Sequence, residues 1–266
     1  MQDWGVRIVA APRTLFWDIE TSHNLIAKFD LREEYTPHTN IIQERFLICA
    51  AWKWSGEKQV RAVSVLDDSK RFAKNVADDR HVVETLHKTL SEADVIVAHN
   101  GDKFDFRWLQ GRMLFHKLPP LPPLKSVDTY KVARRQFALN SNRLDYIGKY
   151  LGLGGKTNTP AGLWLDVLKG DKKAVRTMVD YNKRDVELLE RIYLRLLPYA
   201  GPVVNLQLYA QDNCCPHCGS KHYVACGYRY ADTQVYRRFL CRNDKCRKWF
   251  RSRRAERARA ATHRAL

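Results

Sequence analysis

Apolar and polar positions in the first 197 residues follow two different periods. Short runs rich in β-branched and aromatic residues predict strands at Thr14–Glu20, Phe46–Lys53, Val60–Val65, Val95–His99 and Ser126–Asp128. Apolar positions spaced three or four residues apart predict helices at Val82–Glu92, Phe104–Phe115, Tyr130–Phe137, Leu144–Leu151 and Ala174–Leu196. Strands first and helices later in one unit predict an α/β fold in which helices flank a mixed sheet.

Glycine and proline mark the connections between these elements. Ser55–Glu57 contains Gly56 and predicts a turn that joins the second and third strands into an antiparallel hairpin. Leu118–Leu124 is proline-rich and predicts a spacer before the last strand, with a ligand for a proline-recognising domain as the alternative. Gly201-Pro202 lies in a stretch with few charges. We therefore expect an α/β domain at 1–197, a linker at 198–211, a small second domain at 212–251 and a tail at 252–266.

Composition and charge restrict the class of protein. Hydrophobic residues make up 45% of the 266 residues, which is ordinary for a globular chain. No apolar run approaches the roughly 20 residues of a membrane helix, and no secretion pattern is visible, so we expect a cytoplasmic protein. The net charge is +17, and residues 201–266 carry 14 Lys/Arg against 4 Asp/Glu. Positive charge of this density favours nucleic acid as the partner of the C-terminal region.

Two acidic residues interrupt the first predicted strand. Side chains alternate across a strand, so Asp18 and Glu20 project from one face, and Trp17 and Ile19 project from the other. Neighbouring carboxylates in an apolar strand repel each other and resist burial, and a divalent cation would relieve both penalties. A strand end that reaches solvent is the structural alternative.

Further acids occur at a strand-to-helix turn and on the last helix. Asp105 falls in the first turn of the helix after Val95–His99, where it can point at a metal, whereas Asp102 suits an N-cap. Tyr181 and Asp185 are four residues apart and share one helical face. An aspartate beside the apolar stripe of that helix needs a partner if it is buried.

Taken in order, these residues resemble the motifs of the DEDD exonuclease superfamily, whose relatives include the proofreading domains of family A and family B DNA polymerases. The matching positions are Asp18 and Glu20 for the first motif, Asn100 with Phe104-Asp105 for the second, and Tyr181 with Asp185 for the third. A tyrosine in the third motif, where a sister branch has histidine, indicates the DEDDy type. The resemblance covers residues 13–197 and implies a ribonuclease H-like fold.

The resemblance also implies an activity, that of a metal-dependent 3′–5′ exonuclease. The catalytic residues would be Asp18, Glu20, Asp105, Tyr181 and Asp185. The four carboxylates would hold two Mg²⁺ or Mn²⁺ ions, which prefer hard oxygen ligands. Tyr181 would orient the attacking water, because a phenol with a pKa of about 10 is a poor base. Asn100 and Phe104 would contact the nucleic acid.

Cysteines cluster near the C-terminal end. Cys215 and Cys218 form a C-x-x-C knuckle, and Cys241 and Cys246 follow as a second pair with four residues between them. Close pairs in a chain without a secretion signal favour metal over disulfides, and four thiolates complete one structural Zn²⁺ site. The spare candidate ligands are Cys214, Cys226, His217 and His222. The pattern resembles zinc ribbons attached to some transposases and phage nucleases; for a phage protein, the expected compartment is the host cytoplasm.

Basic and aromatic residues alternate over this ribbon. Val224–Tyr230 and Val235–Leu240 predict its hairpin. The predicted nucleic-acid contacts are Arg237, Arg238, Arg242, Lys248, Arg251, Arg253 and Arg254. We expect exposed aromatic residues to stack on unpaired bases, and Phe239 and Trp249 to form the small core instead. The tail after Arg251 is expected to form a basic helix on DNA or to be disordered.

Three functions remain open at this point. The favoured one is hydrolysis of phosphodiester bonds at DNA 3′ ends, single strands in particular, with a replication or recombination protein as a further partner. The second is a non-catalytic nucleic-acid-binding module on a nuclease fold. The third is an exoribonuclease or an endonuclease with the same site, because the metals act on the backbone in every case.

Overall fold

The computed structural model describes residues 12–30, 32, 35–155, 160–200, 205–209, 213–231, 233–244 and 246–258. The chain divides into two compact units that meet in sequence between Tyr193 and Leu194. Each unit has a sheet of its own.

The first unit contains the α-helices and the first seven strands of the described residues. Its strands are β1 (Thr14–Thr21), β2 (Leu25–Ile26), β3 (Ile41–Gln43), β4 (Leu47–Trp54), β5 (Arg61–Ser64), β6 (Val95–Ala98) and β7 (Lys125–Asp128). Its helices are α1 (Ser69–Lys74), α2 (Arg80–Ser91), α3 (Asp105–Phe115), α4 (Thr129–Gln136), α5 (Leu144–Tyr150), α6 (Leu163–Leu168) and α7 (Lys172–Leu196). Short 3-10 turns occur at His38–Asn40 and Val65–Asp67.

A mixed five-stranded sheet organises this unit, in the order β5-β4-β1-β6-β7. β1 is antiparallel to β4 and parallel to β6, and β6 is parallel to β7. The parallel pairing of β1 with β6 extends only from Thr14 to Phe16, because β6 ends at Ala98 and the chain turns into α3. The expected α/β fold with a mixed, ribonuclease H-like sheet flanked by helices is confirmed.

The two faces of β1 have different environments. Leu15, Trp17 and Ile19 are at most 4% exposed and belong to the main hydrophobic core. Burial of side chains of this size contributes about 1.5–3 kcal/mol each. Phe16 lies on the other face, where its ring meets Tyr193 of α7 edge-on with a centroid separation of 5.3 Å. The acidic side chains of β1 therefore point to the side of the sheet that α7 covers.

Nearly all the predicted elements of this unit occur within two residues of their expected ends. The turn between β4 and β5 is also confirmed, with Gly56 in the left-handed region at φ 88°. Leu118–Leu124 connects α3 to β7 as a spacer. α1 and α6 were not predicted from the sequence, because each has six residues and too few turns to display a helical period.

The second unit contains a small antiparallel sheet. Its strands are β8 (Tyr223–Tyr230), β9 (Gln234–Cys241), β10 (Trp249–Arg251) and β11 (Arg257–Ala258), and a 3-10 turn lies at Leu206–Tyr209. β9 pairs with β8 on one edge and with β10 and β11 on the other, so the predicted hairpin is confirmed. The sequence predicted a helical or disordered tail after Arg251. Arg257 and Ala258 instead form β11, because the edge of β9 beyond β10 has backbone groups that need hydrogen-bond partners. Residues 259–266 lie outside the described part of the chain.

Candidate catalytic and metal centres

Three carboxylates converge on the face of the sheet that α7 covers. One oxygen from each of Asp18, Glu20 and Asp185 lies within 4.8 Å of the other two. β1 places the first two side chains on one face, and α7 brings Asp185, which is 2% exposed, opposite them. Three like charges this close disfavour the ionised state unless a cation joins them. The donor set, all carboxylate oxygens, fits Mg²⁺ or Mn²⁺.

Asp105 lies beside this cluster and is tied to β1. Its Oδ1 accepts a hydrogen bond of 3.2 Å from the amide of Ile19, the residue between the two acids of that strand. The parallel pairing of β1 with β6 ends at Phe16, so β6 does not extend far enough to provide an acceptor for the Ile19 amide. Asp105 provides that acceptor instead. Asp105 is 3% exposed and opens α3. It is not one of the three groups within 4.8 Å of one another.

Tyr181 lies one helical turn before Asp185 on α7. Its ring is partly buried and packs against the main core. The phenol and the carboxylate thus share one face of a 25-residue helix, as the spacing predicts. A rigid helix, rather than a loop, fixes their separation.

Asn182 also belongs to this site and was not predicted from the sequence. It is completely buried, and its Nδ2 donates a hydrogen bond of 2.6 Å to Oδ2 of Asp18. Its Oδ1 accepts from Sγ of Cys49 on β4 at 3.9 Å. The available signal was its position three residues before Asp185, on the same inward face of α7. Asn182 therefore orients one carboxylate of the cluster.

Cys49 remains a neutral thiol behind the cluster. Burial raises the pKa of Cys49 well above its usual value, and the charges of Glu20 and Asp18 raise it further. A protonated thiol is a poor metal ligand. Mg²⁺ and Mn²⁺ also prefer carboxylate oxygen to sulfur, so the carboxylates are the candidate ligands on this face.

The turn after β6 is held in shape by Asp128. Asn100 adopts a left-handed conformation, at φ 63°, and its amide donates to Oδ1 of Asp128 at 2.8 Å. The same oxygen accepts from the amide of Tyr130 and caps α4. Burial raises the pKa of Asp128, and the hydrogen bond from the Asn100 amide opposes that shift. Asp128 is therefore an acceptor for backbone amides.

A cleft of about 910 Å³ opens at this turn. It is lined by His99, Asn100, Lys103, Phe104, Tyr130, Lys131, Arg134, Arg143, Leu144, Asp145 and Lys149. Lys131 pairs with Asp102, and Lys149 pairs with Asp145. Within the described part of the chain, the other three cations of the cleft have no carboxylate partner. The cleft is therefore electropositive, and Phe104, on its wall, immediately precedes Asp105.

Four cysteines of the second unit form the other metal cluster. Cys215, Cys218, Cys241 and Cys246 have sulfur atoms within 4.8 Å of one another. The separations are 3.9 Å from Cys215 to Cys246 and 3.6 Å from Cys218 to Cys241. Tetrahedral zinc with Zn–S bonds of about 2.3 Å requires an S–S edge of about 3.8 Å. The four thiols therefore fit Zn²⁺, even though four residues rather than two separate the cysteines of the second pair.

A tight knuckle brings the first pair of cysteines together. The amide of Gly219 donates to the carbonyl of Cys215 at 2.9 Å, and Gly219 has a φ of 71° that favours glycine. In the second pair, the amide of Cys246 bonds to the carbonyl of Asn243. Among the described residues, the spare candidates Cys214, Cys226, His217 and His222 do not join the four-sulfur group.

The predicted basic contacts of the ribbon differ in exposure. Arg238, Arg242, Arg251, Arg253 and Arg254 are exposed, and Arg237 is half-buried. Lys248 is 4% exposed, and its Nζ donates to the carbonyl of Ala200 at 3.1 Å. An amine turned inward in this way is poorly placed to contact a phosphate. Trp249 is 50% exposed and so lies outside the small core, whereas Phe239 packs on Phe250 as expected.

Comparison with known proteins places the chain in a family. The sequence profile of the RNase H superfamily matches residues 53–197, more than half of the chain. The chain belongs to the RNase H superfamily. The matched range includes Asp105, Tyr181 and Asp185 and begins after β1. No curated protein sequence matches this superfamily member.

Solved structures share the fold of this RNase H superfamily member. The family B DNA polymerase from the hyperthermophilic archaeon Pyrobaculum calidifontis superposes with a TM-score of 0.52 at 16% sequence identity. The match covers 84% of this chain and 31% of the polymerase, so the chain spans under a third of that protein. Identity this low establishes a common fold and nothing further. Among the described residues, no helix has the length and apolar character needed to cross a membrane.

Proposed function

We propose that this RNase H superfamily protein is a metal-dependent 3′–5′ exonuclease that acts on DNA, with single strands favoured. The observation that carries the proposal is the convergence of Asp18, Glu20 and Asp185 within 4.8 Å, from two elements far apart in sequence. Three carboxylates in one small volume repel one another, and bound divalent cations relieve that repulsion. This close grouping of carboxylate oxygens therefore supports a role in binding divalent cations.

The carboxylates of Asp18, Glu20, Asp105 and Asp185 would hold two Mg²⁺ or Mn²⁺ ions. When bound, the ions would lower the pKa of water and stabilise negative charge on the leaving 3′ oxygen. Asp18, Glu20 and Asp185 would bind metal directly. Asp105 would act from the side of Ile19, through water, consistent with its place beside the cluster.

The other side chains would position the reactants. Tyr181 would orient the attacking water by hydrogen bonding, since an unperturbed phenol is a poor base. Asn182 would hold the Asp18 carboxylate in one orientation through its 2.6 Å hydrogen bond. A ligand that is already held in one orientation loses less entropy when a metal binds, and this favours metal binding.

The electropositive cleft would guide the substrate strand to the carboxylates. Asn100 and Phe104 line it next to Asp105, and Lys103, Arg134 and Arg143 supply positive charge for phosphates. A phenyl ring and cations together suit a single strand, in which bases can stack and the backbone is accessible. We favour DNA over RNA by analogy with the DNA polymerase that shares this fold, and the assay below compares the two substrates.

The second unit would add affinity for the nucleic acid. Residues 212–251 would be a zinc ribbon with one structural Zn²⁺ on Cys215, Cys218, Cys241 and Cys246, and residues 252–266 would extend its basic surface. A unit this small has a limited core, so the metal would provide much of its stability. Residues 198–211 would act as the linker.

The test is a denaturing gel of 5′-labelled single-stranded DNA, duplex DNA and RNA, each with Mg²⁺ or Mn²⁺. We expect a ladder that shortens from the 3′ end, fastest with single-stranded DNA. Asp18→Asn should abolish the ladder while oligonucleotide binding persists. The matched control is Asp180→Asn, which removes an exposed acid from α7 and should leave the rate unchanged.

Other products would identify the alternatives. Internal fragments from the earliest time points would indicate an endonuclease, and a preference for RNA would indicate an exoribonuclease. Intact substrate with every metal and every nucleic acid would reject the enzyme and leave a binding module.

A further inference from the structure

One face of the ribbon sheet carries arginine and aromatic side chains in alternation. The register of β9 and β10 pairs Arg238 with Arg251 and Leu240 with Trp249, so these side chains project to the same side. The guanidinium of Arg238 lies 4.7 Å from the ring centroid of Trp249, and that of Arg251 lies 3.8 Å from the ring centroid of Tyr236. We call Tyr236, Arg238, Trp249 and Arg251 the stacked arginine face.

Two positive charges stand directly opposite each other on this face. Arg238 and Arg251 are cross-strand partners, and like charges in that position destabilise a sheet. Nε of Arg238 donates to the carbonyl of Cys226 at 3.0 Å, and Nη1 of Arg251 donates to the carbonyl of Ser252 at 2.9 Å. These bonds fix the guanidinium groups but do not neutralise them. Within the described residues neither arginine forms an ion pair, so an anion bound between them would remove the repulsion.

The aromatic rings of this face support the arginines. Each ring has one face covered by a guanidinium, which leaves less surface for a nucleobase than the sequence pattern predicts. The planar guanidinium in turn presents its outer N–H groups to solvent, in a geometry that matches a phosphate. The chemistry of the face thus favours a backbone phosphate over a base.

We propose that the stacked arginine face binds the phosphodiester backbone of the DNA substrate through Arg238 and Arg251, without regard to the bases. The proposal rests on the proposed function for the identity of the polyanion. It departs from the expectation that ribbon aromatics stack on unpaired bases. It also replaces the sequence-based expectation that both adjacent arginines of β9 contact the nucleic acid. Arg238 binds phosphate, whereas Arg237 projects from the opposite face and does not.

Arg237 provides a matched control on the opposite face. Its guanidinium lies 4.8 Å from the ring centroid of Tyr228, and its Nη1 donates to the phenol oxygen of that residue at 2.5 Å. The register places Arg237 directly across from Tyr228, on the side of the sheet that carries Phe239. Loss of Arg237 therefore removes the same charge and the same kind of stacking from the same strand.

The experiment measures binding of the full chain to a labelled single-stranded 20-mer by fluorescence anisotropy, without added Mg²⁺ or Mn²⁺, over a range of KCl concentrations. Arg238→Gln/Arg251→Gln should weaken binding at least tenfold. It should also reduce the slope of log K against log salt by about 1.4, since each phosphate contact to a single strand contributes about 0.7. Arg237→Gln should stay within about twofold of the parent. Equal losses in both variants would overturn the proposal.

A second ligand separates backbone from base recognition. A strand of equal length with tetrahydrofuran units in place of every nucleoside should bind the parent protein within about threefold of ordinary DNA at the same salt concentration. A loss of most of the affinity would assign recognition to the bases and reject the proposal. If the double variant loses its zinc, the single variants Arg238→Gln and Arg251→Gln are measured, each with an expected slope reduction of about 0.7.

These results are independent of catalysis. Binding is measured without the catalytic cations, so failure of the stacked arginine face would appear as unchanged salt slopes. Failure of the proposed nuclease would appear instead as an intact substrate in the gel assay, whatever the salt slopes show.

Discussion

Asn182 on α7 donates a hydrogen bond from Nδ2 to Oδ2 of Asp18 on β1, at a distance of 2.6 Å. The two residues are separated by 164 positions in sequence, and the bond joins the last helix of the first unit to its central strand. It occurs where three carboxylates meet. Asn182 is completely buried, so no water competes for its amide. The bond therefore helps to hold the Asp18 carboxylate in one orientation.

We expect Asn182→Ala to lower kcat of the exonuclease by about 10–100-fold, the range typical for loss of a group that orients a metal ligand. KM for the oligonucleotide should change little, because Asn182 lies away from the cleft walls. Steady-state kinetics with a fluorescent oligonucleotide measure both constants. The concentration of Mn²⁺ needed for half-maximal rate should rise in parallel. A variant with parental kcat and parental metal dependence would show that Asp18 needs no such support.

Asp105 should contribute to stability as well as to the site. Asp105→Ala leaves the buried amide of Ile19 without an acceptor, at a cost of about 1–3 kcal/mol. Asp105→Asn keeps an oxygen that can accept this hydrogen bond and should lose much less. Urea unfolding of the two variants measures the difference. Equal free energies of unfolding would indicate that the hydrogen bond contributes nothing.

The zinc ribbon should lose its metal on a single cysteine substitution. Cys218→Ser removes one of four sulfur ligands, so zinc content should fall from one ion per chain toward zero. Inductively coupled plasma mass spectrometry measures this content. Cys226→Ser is the matched control, because Cys226 lies in the same unit outside the four-sulfur group and should retain the zinc. Retention by Cys218→Ser would refute the site.

Lys248 should stabilise the charge of the zinc centre. A Zn²⁺ with four thiolates carries a net charge of −2, and Lys248 is a buried cation whose neighbours include Cys246, Cys215 and Cys218. Lys248→Met keeps most of the aliphatic volume and removes the charge. We expect zinc transfer to a chelating dye to accelerate several-fold, as measured by absorbance. Arg247→Met, which removes an exposed cation next in sequence, should show the parental rate.

The raised pKa of Asp128 leads us to expect that the free energy of unfolding depends on pH. Because burial raises its pKa in the folded state, the folded chain binds a proton more tightly than the unfolded chain does. Its contribution to the free energy of unfolding therefore falls as pH rises from its ordinary pKa of about 3.9 through the raised value, and is constant above it. Asp128→Asn cannot titrate. Urea unfolding between pH 4 and pH 7 should show the parent losing stability relative to this variant.

Much of the first unit could be predicted from local sequence. The strand ends and helix ends follow from apolar periodicity, because burial of one face imposes that period on any sequence. The acids at Asp18, Glu20 and Asp185 were identifiable because carboxylates are anomalous beside apolar stripes. The four zinc-ligand candidates were identifiable because two close cysteine pairs, in a sequence without a secretion pattern, indicate a metal site.

Tertiary contacts decided the remainder. Asn182 looks like an ordinary polar residue until β1 and α7 are packed together, since its partner is 164 positions away. Lys248 and Arg238 have the same sequence context of basic and aromatic neighbours, yet one is buried against a carbonyl and the other lies exposed on a ring. Sequence fixes which side chains are available and on which face of an element they lie. Distances between elements, and the exposure that follows from them, arise only when the elements pack.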